Sequence, residues 1–323
     1  MCAASLLLLA ALAGCNMMDR IRGGAKTSFN GDSALAYART QVEFGPRAPG
    51  TSGHERGGDW IVTQMRARAD TVEVQNWKHV TKGGDTLALR NVFARFRPGD
   101  TQRVLFITHW DTRPVANADM NLGARQRPIP GANDGASGVG LFVALADAMR
   151  KTPPNVGVDL LFVDGEDYGE FEDVNWADST KNRDVLIGSQ YFANHMPPTY
   201  KPMFGVLFDM IGDRSLQIFQ EGWSVQEAPE VVSRVWGTAR DLGYEKYFIS
   251  EVSTTITDDH LPLLNKGLRV IDVIDYNYCS DGSTKCVEPG PLNLHHTMGD
   301  TIEQISAKSL QIVGDVALTL LTR

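Results

Sequence analysis

VLFITHWDTRP, residues 104–114, runs straight from an apolar stretch into a histidine, an aspartate and an arginine. An apolar run without alternation suits a strand buried on both faces, and strands of that kind belong to parallel sheets covered by helices. Similar runs lie at 158–163, 204–208 and 268–274, with helical patterns between them. Polar groups close several of these runs: His109 and Asp111 follow the first, Glu166 and Asp167 the run at 158–163, and Asp209 the run at 204–208. The pattern predicts an α/β protein, a three-layer α/β/α sandwich with a mixed, mostly parallel central sheet. Ligands of open α/β sheets bind beyond the carboxyl ends of the strands, so these polar residues are expected to meet at one rim.

Upstream, residues 33–44 and 54–69 carry helical periodicity, joined by the Gly- and Pro-rich segment 45–53. Residues 71–80 and 86–96 alternate apolar and polar positions about Gly83-Gly84, which predicts an antiparallel pair. No internal repeat or strong linker divides residues 31–323, so a single catalytic domain is expected there. The net charge of −8 comes from interspersed acidic and basic residues without a long run of either sign. This excludes the basic stripe that a nucleic-acid partner would require.

Residues 1–15 read differently. The apolar stretch 6–12 is too short to span a bilayer and ends in Leu12-Ala13-Gly14-Cys15. It resembles a bacterial lipoprotein signal, although no Lys or Arg precedes the apolar run. The alternative is a buried N-terminal helix. The resemblance implies export, lipidation at Cys15 and a polar tether over residues 16–30, with a lipid anchor as the sole membrane contact. Asn16 stands where inner-membrane retention usually has aspartate, which inclines the expected location to the periplasmic outer membrane. Cys279 and Cys286 flank a Ser-Asp-Gly turn, and in an exported protein they suggest a disulfide, with free thiols as the alternative.

Six segments hold the candidates for chemistry: THWDTRP (108–114), GANDGASGVG (131–140), VDGEDYG (163–169), FDMIGD (208–213), TDDHLP (257–262) and HHTMGDT (295–301). Each is weak alone, but their order and spacing resemble the zinc-dependent aminopeptidases of family M28. The resemblance implies Asp134, Asp167 and His296 as zinc ligands and Glu166 as the proton carrier, in a protein acting on peptide N-termini. Such a ligand set fits catalytic zinc, which takes three N or O donors and keeps one position open. His295 is an alternative to His296, although the His-Thr-Met pattern of the family selects His296.

A closer resemblance is to the glutaminyl-peptide cyclotransferases of bacteria, carried by TDDHLP, LFDMIG, Trp110, GEDYG and Gly188-Ser189-Gln190-Tyr191. It implies one zinc ion, with Asp209 and Asp258 beside the substrate amine. The rival is a two-zinc aminopeptidase, in which His109 and Asp209 hold the second ion and Asp134 bridges. Those cyclases usually place tryptophan immediately before the zinc histidine, where this chain has His295. Trp176 or Trp223 is the expected substitute wall of the substrate pocket, with His295 also lining it. A binding protein on a decayed enzyme fold is a third reading, and the retention of Glu166, Asp134, Asp167 and His296 speaks against it.

Overall fold

The computed structural model describes residues 26–171 and 184–323. The chain enters through α1 (Gly31–Glu43), α2 (Ser52–Arg66), β1 (Thr71–Val80), β2 (Thr86–Phe96) and β3 (Arg103–His109). It continues as α3 (Ala136–Lys151), β4 (Gly157–Val163), α4 (Ile187–His195), β5 (Phe204–Asp209) and β6 (Ile218–Gln220). Next come α5 (Gly222–Glu227), α6 (Pro229–Asp241), β7 (Phe248–Val252), α7 (His260–Leu264), β8 (Val270–Ile274) and α8 (Ala307–Thr322).

Six strands form one sheet in the order β1-β2-β4-β3-β5-β8. The four strands from β4 to β8 are parallel, while β2 pairs antiparallel with both β1 and β4. Successive side chains leave a strand on opposite faces, and the core divides accordingly. Phe106, Phe162 and Phe208 pack with Phe142 of α3 and Leu310 and Val313 of α8 on one side. Leu105, Ile107, Leu161 and Leu207 pack with Phe192 of α4 and Leu263 of α7 on the other. The expected three-layer sandwich with a mixed, mostly parallel sheet is therefore present.

The helices start slightly before the apolar periodicity does, because their caps lie outside it. Asn30 Oδ1 accepts from Ser33 N at 2.8 Å and opens α1, and Thr51 Oγ1 accepts from His54 N at 3.2 Å and opens α2. The last sheet strand begins at Val270 rather than at 268. Leu268 N is spent on the carbonyl of Leu263 at 3.1 Å, closing the turn after α7. The parallel pair β6–β7, outside the main sheet, was not anticipated: these strands are three and five residues long, too short for a clear period. Cys279 and Cys286 are joined in a disulfide. Among the described residues no helix is long and apolar enough to cross a membrane. Cys15 and Trp176 lie outside the described residues.

Candidate metal centre and active site

At the carboxyl end of β3, His109 turns its Nε2 toward two carboxylates, 3.1 Å from Asp134 Oδ1 and 3.1 Å from Asp209 Oδ1. Asp209 is the last residue of β5, the neighbouring strand, so parallel register alone brings these two strand ends together. Asp134 comes from the loop before α3. Gly135, the residue preceding that helix, has φ +95°, and a Cβ there would meet the Asp111 carbonyl at 2.6 Å. Only glycine makes this turn without strain.

The loop is fixed from both sides. Arg47, fully buried, donates to the carbonyls of Pro130 and Gly131. Asp300 accepts from the amides of Asn133 at 2.8 Å and Asp134 at 3.1 Å, and from the Tyr278 hydroxyl at 2.8 Å. The Asn133 side chain closes the arrangement, receiving Gly212 N at 2.7 Å and donating to Met210 O at 3.1 Å.

Glu166 and Asp167 sit just past β4. The carboxylate of Asp111 accepts the amides of both, at 3.1 and 3.3 Å, and sets the direction in which their side chains leave. Asp167 Oδ1 lies 3.1 Å from His296 Nε2 and 3.1 Å from the Arg113 guanidinium. Burial opposes charge on Asp167, but His296 and Arg113 outweigh it and hold the carboxyl well below the ordinary aspartate range. Glu166 goes the other way. Burial pushes its carboxyl well above the ordinary glutamate range; His109 pulls against that, while Asp167, Asp258 and Asp259 add to it. Asp258 is raised well above the usual range too, first by burial and then by Asp209 and Asp259.

Among the described residues, two clusters have the spacing of a metal site. Ligand atoms of His109, Asp134 and Asp209 lie within 4.8 Å of one another, as do those of Asp134, His295 and His296. Asp134 belongs to both, and Asp167 joins the second through His296. Asp134 Oδ2 and Asp167 Oδ2 are buried without a hydrogen-bond partner. Leaving such atoms unanswered costs about 1–3 kcal/mol each, more for charged groups, and a cation between the carboxylates and imidazoles answers them. The donor set of carboxylate oxygen and imidazole nitrogen suits zinc.

Asp134 lines a cavity of about 630 Å³. Glu166, Asp209 and Asp258 line it together with His295 and His296, and Phe171, Thr254, Thr257 and Tyr276 add to its walls.

With this arrangement in view, the model for peptidase family M28 matches residues 91–321. The chain belongs to that family. Among solved structures, this M28 chain is similar to a Tannerella forsythia glutaminyl cyclase, with 38% identity, TM-score 0.80, and coverage of 91% of this chain and 98% of that one. A Bacteroides thetaiotaomicron glutaminyl cyclase is 33% identical with TM-score 0.81, covering 92% of this chain and 99% of that one. A leucine aminopeptidase precursor from Bacteroides thetaiotaomicron is 34% identical with TM-score 0.80, covering 91% of this chain and 97% of that one. The chain spans about half the length of the curated relatives it matches first, at 50% and 56%.

Of the residues read from the sequence, Asp134, Asp167, His296, Glu166, His109, Asp209, Asp258 and His295 all meet at this M28 rim. Trp223 does not. It lines a separate cavity of about 210 Å³ with Glu227, Leu261 and Leu264, so the expectation that it walls the substrate pocket is corrected. The Glu221 carboxylate directs it: it caps the amides of Trp223 and Ser224 at 2.8 and 2.6 Å and starts α5, and Trp223 and α7 line that second cavity together. From the sequence, Asp111 was expected at the rim but given no task, and Arg113 and Asp300 were given none. Each stands inside or beside a motif already singled out, and the signal was its position next to a ligand.

Proposed function

We propose that this M28 enzyme is a zinc-dependent glutaminyl-peptide cyclotransferase, closing the N-terminal glutamine of a peptide to pyroglutamate with release of ammonia. The observation that carries the reading is Asp258, a buried carboxyl held toward its neutral form beside Asp209 and in the same cavity as Glu166. Cyclisation needs groups that hold an amine and shuttle one proton, and a carboxyl cluster of unequal acidities supplies them. The likeness to two glutaminyl cyclases over more than nine-tenths of this chain supports it further.

Asp134, Asp167 and His296 would hold the zinc, which when bound supplies a Lewis acid for the γ-amide carbonyl. Asp209 and Asp258 receive the substrate α-amine. The amine nitrogen bonds to the γ-carbon, and the carbon–nitrogen bond to the amide nitrogen breaks. Glu166 takes the proton from the attacking amine and returns it to the departing nitrogen, so ammonia leaves and no water is consumed.

A two-zinc aminopeptidase is the second reading, favoured by the His109–Asp134–Asp209 cluster and by the aminopeptidase among the similar structures. In that case Asp209 is a ligand and does not receive the amine. Purified protein of defined zinc content, given Gln-capped and Leu-capped peptides, separates the two. Ammonia without chain cleavage supports the cyclase; a liberated amino acid, or two tightly bound zinc ions per chain, refutes it. Export with lipidation at Cys15 belongs to the same proposal, and incorporation of a lipid precursor that survives Cys15→Ser would refute that part.

A further inference from the structure

Two motifs that the chemistry above leaves without a task, Gly188-Ser189-Gln190-Tyr191 and the second aspartate of TDDHLP, meet in the interior. Ser189 and Asp259 are fully buried, and the Ser189 hydroxyl bridges Asp259 Oδ1 and, at 3.1 Å, the carbonyl oxygen of Leu186. The turn that opens α4 is seated on the segment that carries Glu166: Leu186 N donates to the Glu166 carbonyl at 3.0 Å, and Ile187 N to that of Gly165 at 3.1 Å. Gly188 permits this approach, since a Cβ there would run into the backbone nitrogen of Asp164. Its carbonyl accepts from Asn91 Nδ2 at 2.9 Å, which holds the start of α4 against β2. On the far side of the bridge, Asp259 N donates to Asp258 Oδ1 at 2.6 Å.

These contacts make one continuous path between two carboxyls of the cavity. It runs from the backbone of Glu166 to Leu186, from Leu186 to Ser189, from Ser189 to Asp259, and from the Asp259 amide to the Asp258 carboxyl. The two ends line the cavity, whereas Leu186, Ser189 and Asp259 do not, so the middle of the path can act only through its ends. Supporting hydrogen bonds of this kind hold reacting groups in register, and a misplacement of about 1 Å can cost on the order of 10²-fold in rate. We infer that Ser189 and Asp259 are positioning residues that fix the spacing between the proton carrier Glu166 and the amine-holding Asp258. The inference rests on the cyclase reading, in which those two carboxyls work as a pair. Without the Ser189 hydroxyl the segment bearing Asp258 and Asp259 loses its tie to α4 and, through α4, to Glu166. Proton transfer then suffers more than substrate binding, because the cavity walls that receive the peptide are unchanged.

The test is ammonia release from a Gln-capped peptide by the zinc-loaded full chain, with kcat expressed per folded, zinc-containing molecule. Ser189→Ala should lower kcat about 10–100-fold while KM stays within about threefold. A residue needed for stability alone would lower the thermal midpoint and leave both constants of the folded enzyme unchanged. In a Glu166→Gln background no proton carrier remains to be aimed, so adding Ser189→Ala should cost less than about twofold, as expected of groups that act as a unit. Ser189→Cys, which keeps the size and a weaker donor, should lower kcat at least about threefold and decides alone if Ser189→Ala does not fold. A kcat within about twofold of wild type, or an equal loss with and without Glu166, overturns the positioning role and leaves the cyclase reading standing. Wild-type protein that releases no ammonia overturns both.

Discussion

Replacing Glu221 by glutamine should destabilise the fold by roughly 3 kcal/mol at neutral pH and by little in acid. The carboxylate is 1% exposed and accepts from Trp223 N at 2.8 Å, Ser224 N at 2.6 Å, Ser224 Oγ at 2.7 Å and Ile256 N at 2.9 Å. Burial works against its charge, but His260, whose Nε2 is 3.3 Å away, and these donors prevail and hold its pKa at about 2, against an ordinary 4.5. The difference of about 2.5 units, at 1.36 kcal/mol per unit, is roughly 3 kcal/mol. A depressed acid contributes that stability above its unfolded pKa and loses it as the pH falls toward the folded one. The contribution is therefore whole above about pH 5.5, about half gone near pH 3, and nearly absent at the folded pKa. Urea unfolding of wild type and Glu221→Gln at several pH values between 7 and 3 measures the gap directly. A gap under about 1 kcal/mol at pH 7, or one that stays constant down to pH 3, refutes the reasoning. Because Ile256 N is one of the four donors, the variant should also disturb the cavity wall at Thr254 and Thr257, visible as a raised KM.

Three further outcomes follow from the site. Glu166→Gln should reduce ammonia release by about 10²–10⁴-fold while zinc content stays at the wild-type level; unaltered turnover removes Glu166 from the chemistry. Gly135→Ala should destabilise the fold by more than about 1 kcal/mol, since a side chain at φ +95° also meets the Asp111 carbonyl, and a thermal midpoint equal to wild type would contradict the assigned turn. Stripping zinc with a chelator should lower the midpoint, by an amount that grows with the ratio of zinc concentration to its Kd; calorimetry showing no shift would mean the ion does not bind the folded state preferentially.

The sheet was legible because its four parallel strands are apolar on both faces, a pattern that tertiary context cannot easily imitate. The rim followed from it: a residue just past a buried strand has one place to go, so His109, Asp209 and the Glu166-Asp167 pair were located by chain order. What escaped depended on turns. Trp223 is directed by a glutamate two residues earlier whose partners include Ile256, 35 residues away, a contact no local pattern encodes. His295 and His296 were expected to be alternatives, since either imidazole could bind zinc; His296 has a positive φ, and ligand atoms of both lie within 4.8 Å of one another and of Asp134. Arg113 and Asp300 were overlooked for a related reason. Their task is to hold ligands, and holding is expressed in distances rather than in residue type.

Asp300 ties two distant pieces of chain into one object. It stands four residues beyond His296 and receives the amides of Asn133 and Asp134, so the segment that supplies an imidazole is tied directly to the segment that supplies a carboxylate. The tie is made of protein groups alone, so hydrogen exchange of the amides of Asn133 and Asp134 should already be slow before any metal ion is added.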